Sequence, residues 1–130
     1  MLSDAPEALL IHHSDEAGTV EVMSSFTPAD PDYESRVRSS FAAQQVMDTI
    51  GAALDEIRPG EVWISVPHRD TITQQHGFVH AGIVATILDS ACGYAAYSLM
   101  EPAVGILTVE YKINLMAPAR GEHIVAHGRV

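Results

Sequence analysis

The sequence predicts an α+β domain in which one long helix packs against antiparallel strands. Residues 78–100 form the longest apolar stretch of the chain, and Glu101-Pro102 ends it. Strand-like segments lie before it, at about 52–58 and 61–67, and after it, at about 104–116 and 122–130. With 130 residues, 47% of them hydrophobic and 18% charged, the chain has the size and composition of one globular domain.

Residues 1–31 are predicted to form an N-terminal extension that precedes a domain over 32–130. The extension contains a candidate hairpin at 9–26, where two short apolar segments flank a polar turn that ends in glycine. The segment 28–32 holds two prolines and two aspartates, a composition typical of a linker.

The domain begins with a predicted helix over 32–50, because apolar residues recur near one face: Val37, Phe41, Met47 and Ile50. The strands at 52–58 and 61–67 are joined by Arg58-Pro59-Gly60, and the second strand alternates apolar and polar side chains. Later, a turn at 118–121 separates the last two strands.

The stretch 78–100 is long enough to span a bilayer, but it holds His80, Asp89 and several small polar residues. We therefore expect a buried helix of a soluble protein and no membrane partner. Its many alanines and glycines would let a sheet pack closely against it.

The charge distribution restricts the ligands that the chain can bind. Seven basic and seventeen acidic residues give a net charge of −10, which argues against nucleic acid as a partner. Residues 1–70 carry thirteen acids and four bases, whereas residues 71–130 carry four acids and three bases. A site for an anionic ligand is therefore expected in residues 71–130. The single cysteine, Cys92, and a start without a signal peptide predict a cytoplasmic protein.

Asp89 is the first candidate functional residue, because a carboxylate inside an apolar helix is costly to bury without a partner. Its spacing alone also fits a solvent-facing stripe of the helix that contains Gly82, Thr86, Gly93 and Tyr97. The spacing does not decide between these two interpretations.

The segment 74–82 places amides, imidazoles and glycines where the helix begins. Free backbone N–H groups and the positive end of the helix dipole meet there, which suits a carbonyl oxygen that gains negative charge. Capping of the helix by a polar loop also explains these residues and is their more common use.

The histidine spacings do not predict a metal site. His123 and His127 lie on a predicted strand, where such a pair stands about 13 Å apart. His76 and His80 have no carboxylate or cysteine near enough in sequence to complete a ligand set. Cys92 has no basic neighbour in its helical turn, so we expect a packed, unreactive thiol.

Two runs together resemble the hotdog-fold acyl-CoA thioesterases of the phenylacetate-degradation PaaI type. Residues 74–96 read QQHGFVHAGIVATILDSACGYAA and residues 107–122 read LTVEYKINLMAPARGE. The resemblance covers about residues 32–130. It implies a hotdog fold, in which an antiparallel sheet wraps a long central helix, and hydrolysis of an acyl-CoA thioester to free acid and CoA.

The resemblance assigns roles to five positions. Asp89 matches the carboxylate that attacks the thioester carbonyl or activates water to do so. Ala81 stands where the family has an oxyanion-hole glycine. Alanine keeps the backbone N–H of that glycine but adds a methyl group. Gln74 matches an amide that orients substrate or water, His80 a residue that shapes the helix start, and Thr108 a hydroxyl that holds the water.

Such a reaction needs a carboxylate, ordered water and donors for the oxyanion, and no metal or cofactor. The basic residues downstream of the helix are candidate contacts for the CoA phosphates: Lys112, Arg120 and Arg129.

The resemblance also implies two further strands after the position of Val130, so the C-terminal strands of the fold are expected to be missing from this chain. Truncation, replacement by the hairpin at 9–26 and completion by a partner chain remain open. Two other functions remain open as well, a non-catalytic module that binds acyl-CoA or an aromatic ligand and a hotdog dehydratase or hydratase.

The spacing of Ala81 and Asp89 predicts a homodimer or a tetramer of dimers. Eight residues of helix separate the two positions by about 12 Å, whereas one thioester must contact both. We therefore expect Ala81 of one subunit to work with Asp89 of another.

Overall fold

The computed structural model describes residues 26–130, so the predicted hairpin lies outside the described residues except for Phe26. Three antiparallel strands form one sheet in the order β1-β2-β3, and the longest helix packs on it. The elements are α1 (Tyr33–Ala43), α2 (Gln45–Ile50), β1 (Ala53–Arg58), β2 (Glu61–Pro67), a 3-10 turn (Asp70–Ile72), α3 (Ala81–Tyr97) and β3 (His123–Arg129). The predicted α+β class is confirmed.

The helix predicted over 32–50 is divided into α1 and α2. Gln44 separates them in an extended conformation, with φ −79° and ψ 97°. Gly51 ends α2 with φ 69°, a left-handed conformation that favours glycine. The predicted apolar face is nevertheless real, because Val37, Met47 and Ile50 are buried.

The sheet supplies one face of the core. β1 and β2 form a hairpin whose last pair is Arg58 and Glu61, and Gly60 makes the turn with φ 77°. β3 pairs with β2 along the whole length of both strands, from Glu61 with Arg129 to Pro67 with His123. The side chains of the core face alternate along β2 and β3 and are fully or almost fully buried: Val62, Ile64, Val66, Ile124 and Ala126.

Helix α3 packs closely on the sheet, as its small residues predict. Val84, Ile87 and Ala91 are almost fully inaccessible and belong to the same core cluster as the strand residues. The backbone of β3 touches that of α3, since a Cβ at Gly128 would lie 2.2 Å from the carbonyl carbon and oxygen of Ala91. Within residues 26–130, no helix is both long and apolar enough to cross a membrane.

We expect Gly128→Ala to lower the free energy of unfolding by about 3 kcal/mol, because the added methyl group overlaps backbone atoms that cannot rotate away. Thermal or urea unfolding followed by circular dichroism measures this change.

The matched control is Gly93→Ala in α3, where an added Cβ meets no atom within 4 Å. This control should be stabilised by about 0.5–1 kcal/mol, the difference between glycine and alanine in a helix interior. If Gly128→Ala and Gly93→Ala were equally stable, the close contact between α3 and β3 would be wrong.

The strand predicted at about 104–116 is wrong. The described chain has no strand between α3 and β3, and residues 104–116 run as an extended, mostly exposed segment. A strand requires a hydrogen-bonded neighbour, and no described strand lies beside this segment. Its alternating apolar side chains are therefore not covered by other described residues: Leu107 is 91% exposed and Val109 is 97% exposed.

Candidate active site

The segment after α3 lies over the side of that helix turned away from the sheet, and the two border a cavity of about 1640 Å³ that is partly open to solvent. Six of the eight residues that the sequence singles out for catalysis or CoA binding line this cavity: Gln74, Ala81, Asp89, Thr108, Lys112 and Arg120. Residues from three parts of the chain thus meet in one place.

Asp89 lies in the middle of α3, on the side turned away from the sheet. It is half-buried, and its Oδ1 accepts a 2.7 Å hydrogen bond from the Thr108 hydroxyl. The polar stripe that the spacing allows does exist, since Gly82, Thr86 and Gly93 are also exposed or half-buried. These residues line the two cavities, so Asp89 belongs to a partly accessible polar stripe of the helix and is also half-buried.

The N-terminus of α3 offers a free donor to the same cavity. His80 caps the helix, because its Nδ1 accepts the Gly82 N–H at 2.9 Å and its carbonyl accepts from Ile83 and Val84. The Ala81 N–H donates to no acceptor within residues 26–130, and Ala81 is exposed. His80 therefore caps the helix, and the N–H of the adjacent Ala81 remains available to an acceptor in the cavity.

A tight loop holds Gln74 in front of the helix. Thr73 and Val79 form an isolated β-bridge, and the Gln74 N–H donates to the Phe78 carbonyl at 2.9 Å. Gly77 allows the turn with φ 80°. The Gln74 side-chain oxygen accepts the His76 N–H, so the loop fixes the amide where it lines the cavity.

The first turn of α3 lies far from Asp89 in the middle of the helix. Ala81 and Asp89 are the first and ninth residues of a regular helix, which places them about 12 Å apart along the axis. A single thioester cannot contact the Ala81 N–H and the Asp89 carboxylate of one chain at the same time.

The three basic residues differ in their surroundings. Lys112 and Arg120 are exposed and line the large cavity, and the Arg120 guanidinium lies 4.7 Å from the centre of the Phe78 ring. Arg129 is in β3, where its Nε lies 3.1 Å from a Glu61 carboxylate oxygen. The structure thus brings Lys112 and Arg120 to the site but leaves His80 and Arg129 outside the cavity lining.

Cys92 lies one helical turn beyond Asp89 and also lines the cavity. Burial raises the pKa of the Cys92 thiol, and the nearby Asp89 carboxylate raises it further. The thiol therefore stays protonated at neutral pH, as expected for an unreactive cysteine. Within residues 26–130, no three His, Cys, Asp or Glu side chains are grouped so that they could hold a metal ion.

We expect alkylation of Cys92 by iodoacetamide to reach half its maximal rate at a higher pH than alkylation of a small free thiol. Asp89→Asn should move this midpoint down, because it removes the neighbouring negative charge, but burial should keep it above that of the free thiol. Since Cys92 is the single cysteine, the reaction can be followed by the mass of the intact chain. A midpoint below that of the free thiol would contradict this environment.

A second, smaller cavity also adjoins Asp89 and is not predicted by the sequence patterns above. It has a volume of about 260 Å³ and is lined in part by Gln44, Thr86, Ser90 and Tyr111. A signal for it exists in the sequence, because Gln44 interrupts the apolar periodicity of the first predicted helix.

Comparison with known proteins identifies the family. Residues 76–130 match the thioesterase superfamily. The solved structure of a thioesterase family protein from Silicibacter pomeroyi is 55% identical, covers 73% of this chain and 70% of that chain, and superposes with a TM-score of 0.72. The chain belongs to the thioesterase superfamily.

Other relatives of this thioesterase-superfamily chain support the fold. The PaaI protein from the phenylacetic acid degradation operon of E. coli superposes with a TM-score of 0.66 at 13% identity, covering 74% of this chain and 68% of that chain. At such identity the likeness shows the fold alone. The predicted hotdog fold is therefore confirmed, and the predicted resemblance to thioesterases is confirmed by the family match and the 55% identical structure.

A Halobacterium salinarum protein named "putative esterase" is 31% identical over 84 residues, which cover 61% of this chain and 56% of that protein. Two Saccharolobus solfataricus proteins with the same kind of name are 25% identical. The thioesterase-superfamily chain spans less than two thirds of the length of these curated relatives.

Proposed function

We propose that the protein hydrolyses an acyl-CoA thioester to a free acid and CoA. The observation that carries this proposal is a cavity lined by the Asp89 carboxylate, the Gln74 amide and the Ala81 N–H, in which Asp89 of one chain and Ala81 of a second chain would act on the same thioester. These are the groups that hydrolysis of a thioester requires: a base or nucleophile, a polar group to orient water or substrate, and a donor for the oxyanion.

Asp89 can act in two ways. As a general base it takes a proton from water while the water oxygen attacks the carbonyl carbon, and the C–S bond then breaks to release the CoA thiolate. As a nucleophile it attacks the carbonyl itself, releases the thiolate and leaves an anhydride that water hydrolyses. In both routes the Thr108 hydroxyl orients the carboxylate through its 2.7 Å hydrogen bond.

Lys112 and Arg120 are the proposed contacts for the CoA phosphates, because both line the large cavity and lie in the less acidic half of the chain. Arg129 is the weaker candidate, since its ion pair with Glu61 occupies it on the sheet. His80 supports the site as the cap of α3, without a contact to the substrate.

The working unit is proposed to be a homodimer, or a tetramer of such dimers, in which Asp89 of one chain faces Ala81 of another. The separation of about 12 Å within one helix supports this arrangement. The exposed apolar side chains of Leu107 and Val109 also support a dimer, because a second chain could cover them. The single cysteine is consistent with the proposed cytoplasmic location.

A panel of acyl-CoAs tests the proposed function through release of the CoA thiol. We expect turnover of at least one acyl-CoA and equal amounts of free acid and CoA. Tight binding of acyl-CoAs without thiol release would instead indicate a non-catalytic module. Hydration or dehydration of the acyl chain with the thioester intact would indicate a hydratase or dehydratase.

A further inference from the structure

We propose that the small cavity beside Asp89 binds the acyl group and that Gln44 selects short acyl groups with a neutral hydroxyl or carbonyl beyond the thioester. This inference rests on the proposed thioesterase function and adds a substrate class and a specificity residue to it.

The two cavities meet at Asp89. Asp89, Ala85 and Tyr111 line both, so a thioester held at the carboxylate is within reach of both cavities. Lys112 and Arg120 line the large cavity, which therefore suits the anionic CoA portion. The small cavity remains for the acyl portion.

The size of the small cavity limits the acyl group. Its volume is about 260 Å³, against about 1640 Å³ for the large cavity. The smaller cavity therefore suits the smaller portion of the substrate, a short acyl group.

Gln44 can form hydrogen bonds with a group inside this cavity. Its Nε2 donates to the Tyr94 hydroxyl at 2.6 Å, and its Oε1 accepts a long 3.4 Å contact from Ser90. A primary amide has two donor hydrogens and two acceptor lone pairs, so one of each remains. A hydroxyl is complementary because it can donate to Oε1 or accept from Nε2.

The neighbours of Gln44 hold it in place. Tyr94 is 4% exposed, and its hydroxyl also lies 3.2 Å from the Ser40 hydroxyl, so the partner of the amide is fixed between α1 and α3. Thr86 is less available, because its hydroxyl already donates to the Gly82 carbonyl at 2.7 Å. Gln44 is therefore the group best placed to distinguish a polar from an apolar acyl chain.

The charge of the small cavity excludes an acidic acyl group. Asp89 is part of its wall, and none of the described residues that line it is basic. A carboxylate on the acyl chain would thus lie near another carboxylate without a cation to offset the repulsion. A neutral hydroxyl or carbonyl avoids this cost.

The test compares 3-hydroxybutyryl-CoA with isovaleryl-CoA, which has a methyl group in place of the hydroxyl. We expect kcat/KM of the wild-type protein to favour the hydroxylated thioester about tenfold, the effect of roughly one hydrogen bond. Gln44→Met keeps the length of the side chain and should reduce this ratio to about one. Gln45→Met is the matched control, because Gln45 is exposed, lines neither cavity and should leave the ratio unchanged.

Equal use of the two thioesters by the wild-type protein, or the same preference in Gln44→Met, would overturn the inference but leave the proposed function intact. Turnover of long acyl-CoAs without turnover of either short one would do the same. The absence of thiol release from every acyl-CoA would overturn the proposed function and the inference with it. If Gln44→Met does not fold, Ser90→Ala replaces it, and a smaller fall in the ratio is then the expected result.

Discussion

Asp89→Asn is expected to reduce thiol release about 10³-fold while the protein remains folded. The amide has nearly the shape of the carboxylate and can still accept the hydrogen bond from Thr108, so the helix and the cavity keep their structure. It cannot take a proton from water or attack a carbonyl carbon. Steady-state kinetics with the best acyl-CoA of the panel, together with thermal unfolding, measures both parts of this result.

Asp48→Asn provides the matched control, because Asp48 is exposed on α2 and lines neither cavity. It removes the same charge from the chain and should retain wild-type turnover. Full activity in a folded Asp89→Asn protein would show that another group performs the reaction.

Ala81→Pro is expected to lower kcat about 10²–10³-fold, the usual effect of removing one oxyanion donor. Proline has no backbone N–H, so the substitution deletes the proposed donor itself. The fold should tolerate it, because proline is favoured in the first position of a helix. His80 already has φ −61° and ψ 136°, the extended conformation that a residue before proline requires.

Ala81→Gly is the control for this variant, since it restores the residue type expected at the position and keeps the N–H. Its turnover should equal or exceed that of the wild-type protein, because the methyl group is removed from the approach to the donor. Equal activity of folded Ala81→Pro and Ala81→Gly would exclude the Ala81 N–H from the reaction.

The sequence predicts the parts of the fold whose patterns are local. The alternation of Val62, Ile64 and Val66 predicts β2, and the small residues of 78–100 predict a helix that packs closely on a sheet. The burial of these residues and the contact between Gly128 and Ala91 agree with both predictions.

Two features could not be predicted from local patterns. The alternation in 104–116 is that of a strand, but strand formation depends on a neighbouring backbone that the local sequence does not specify. The break at Gln44 depends on tertiary contacts, because the amide reaches Tyr94 and Ser90 on a distant helix. The sequence pattern alone, which does not include these contacts, predicts one helix over residues 32–50.

The sequence predicts which residues belong to the candidate site better than it predicts how they are arranged. The resemblance picks out Gln74, Ala81, Asp89 and Thr108, and the structure places all four around one cavity. Their roles remain predictions. The sequence carries one signal of the small cavity, the polar Gln44, but not its shape, because the wall combines Gln44 with residues from α2, α3 and the segment after α3.

Mixing two inactive variants tests most directly whether Asp89 and Ala81 act together across two chains. Asp89→Asn and Ala81→Pro chains are unfolded, combined in equal amounts and refolded, and subunit mixing is verified by native mass spectrometry. Random pairing makes about half of the dimers mixed, and each mixed dimer has one intact site, so about a quarter of wild-type thiol release should return. Mixed dimers as inactive as the two parent variants would contradict the shared site.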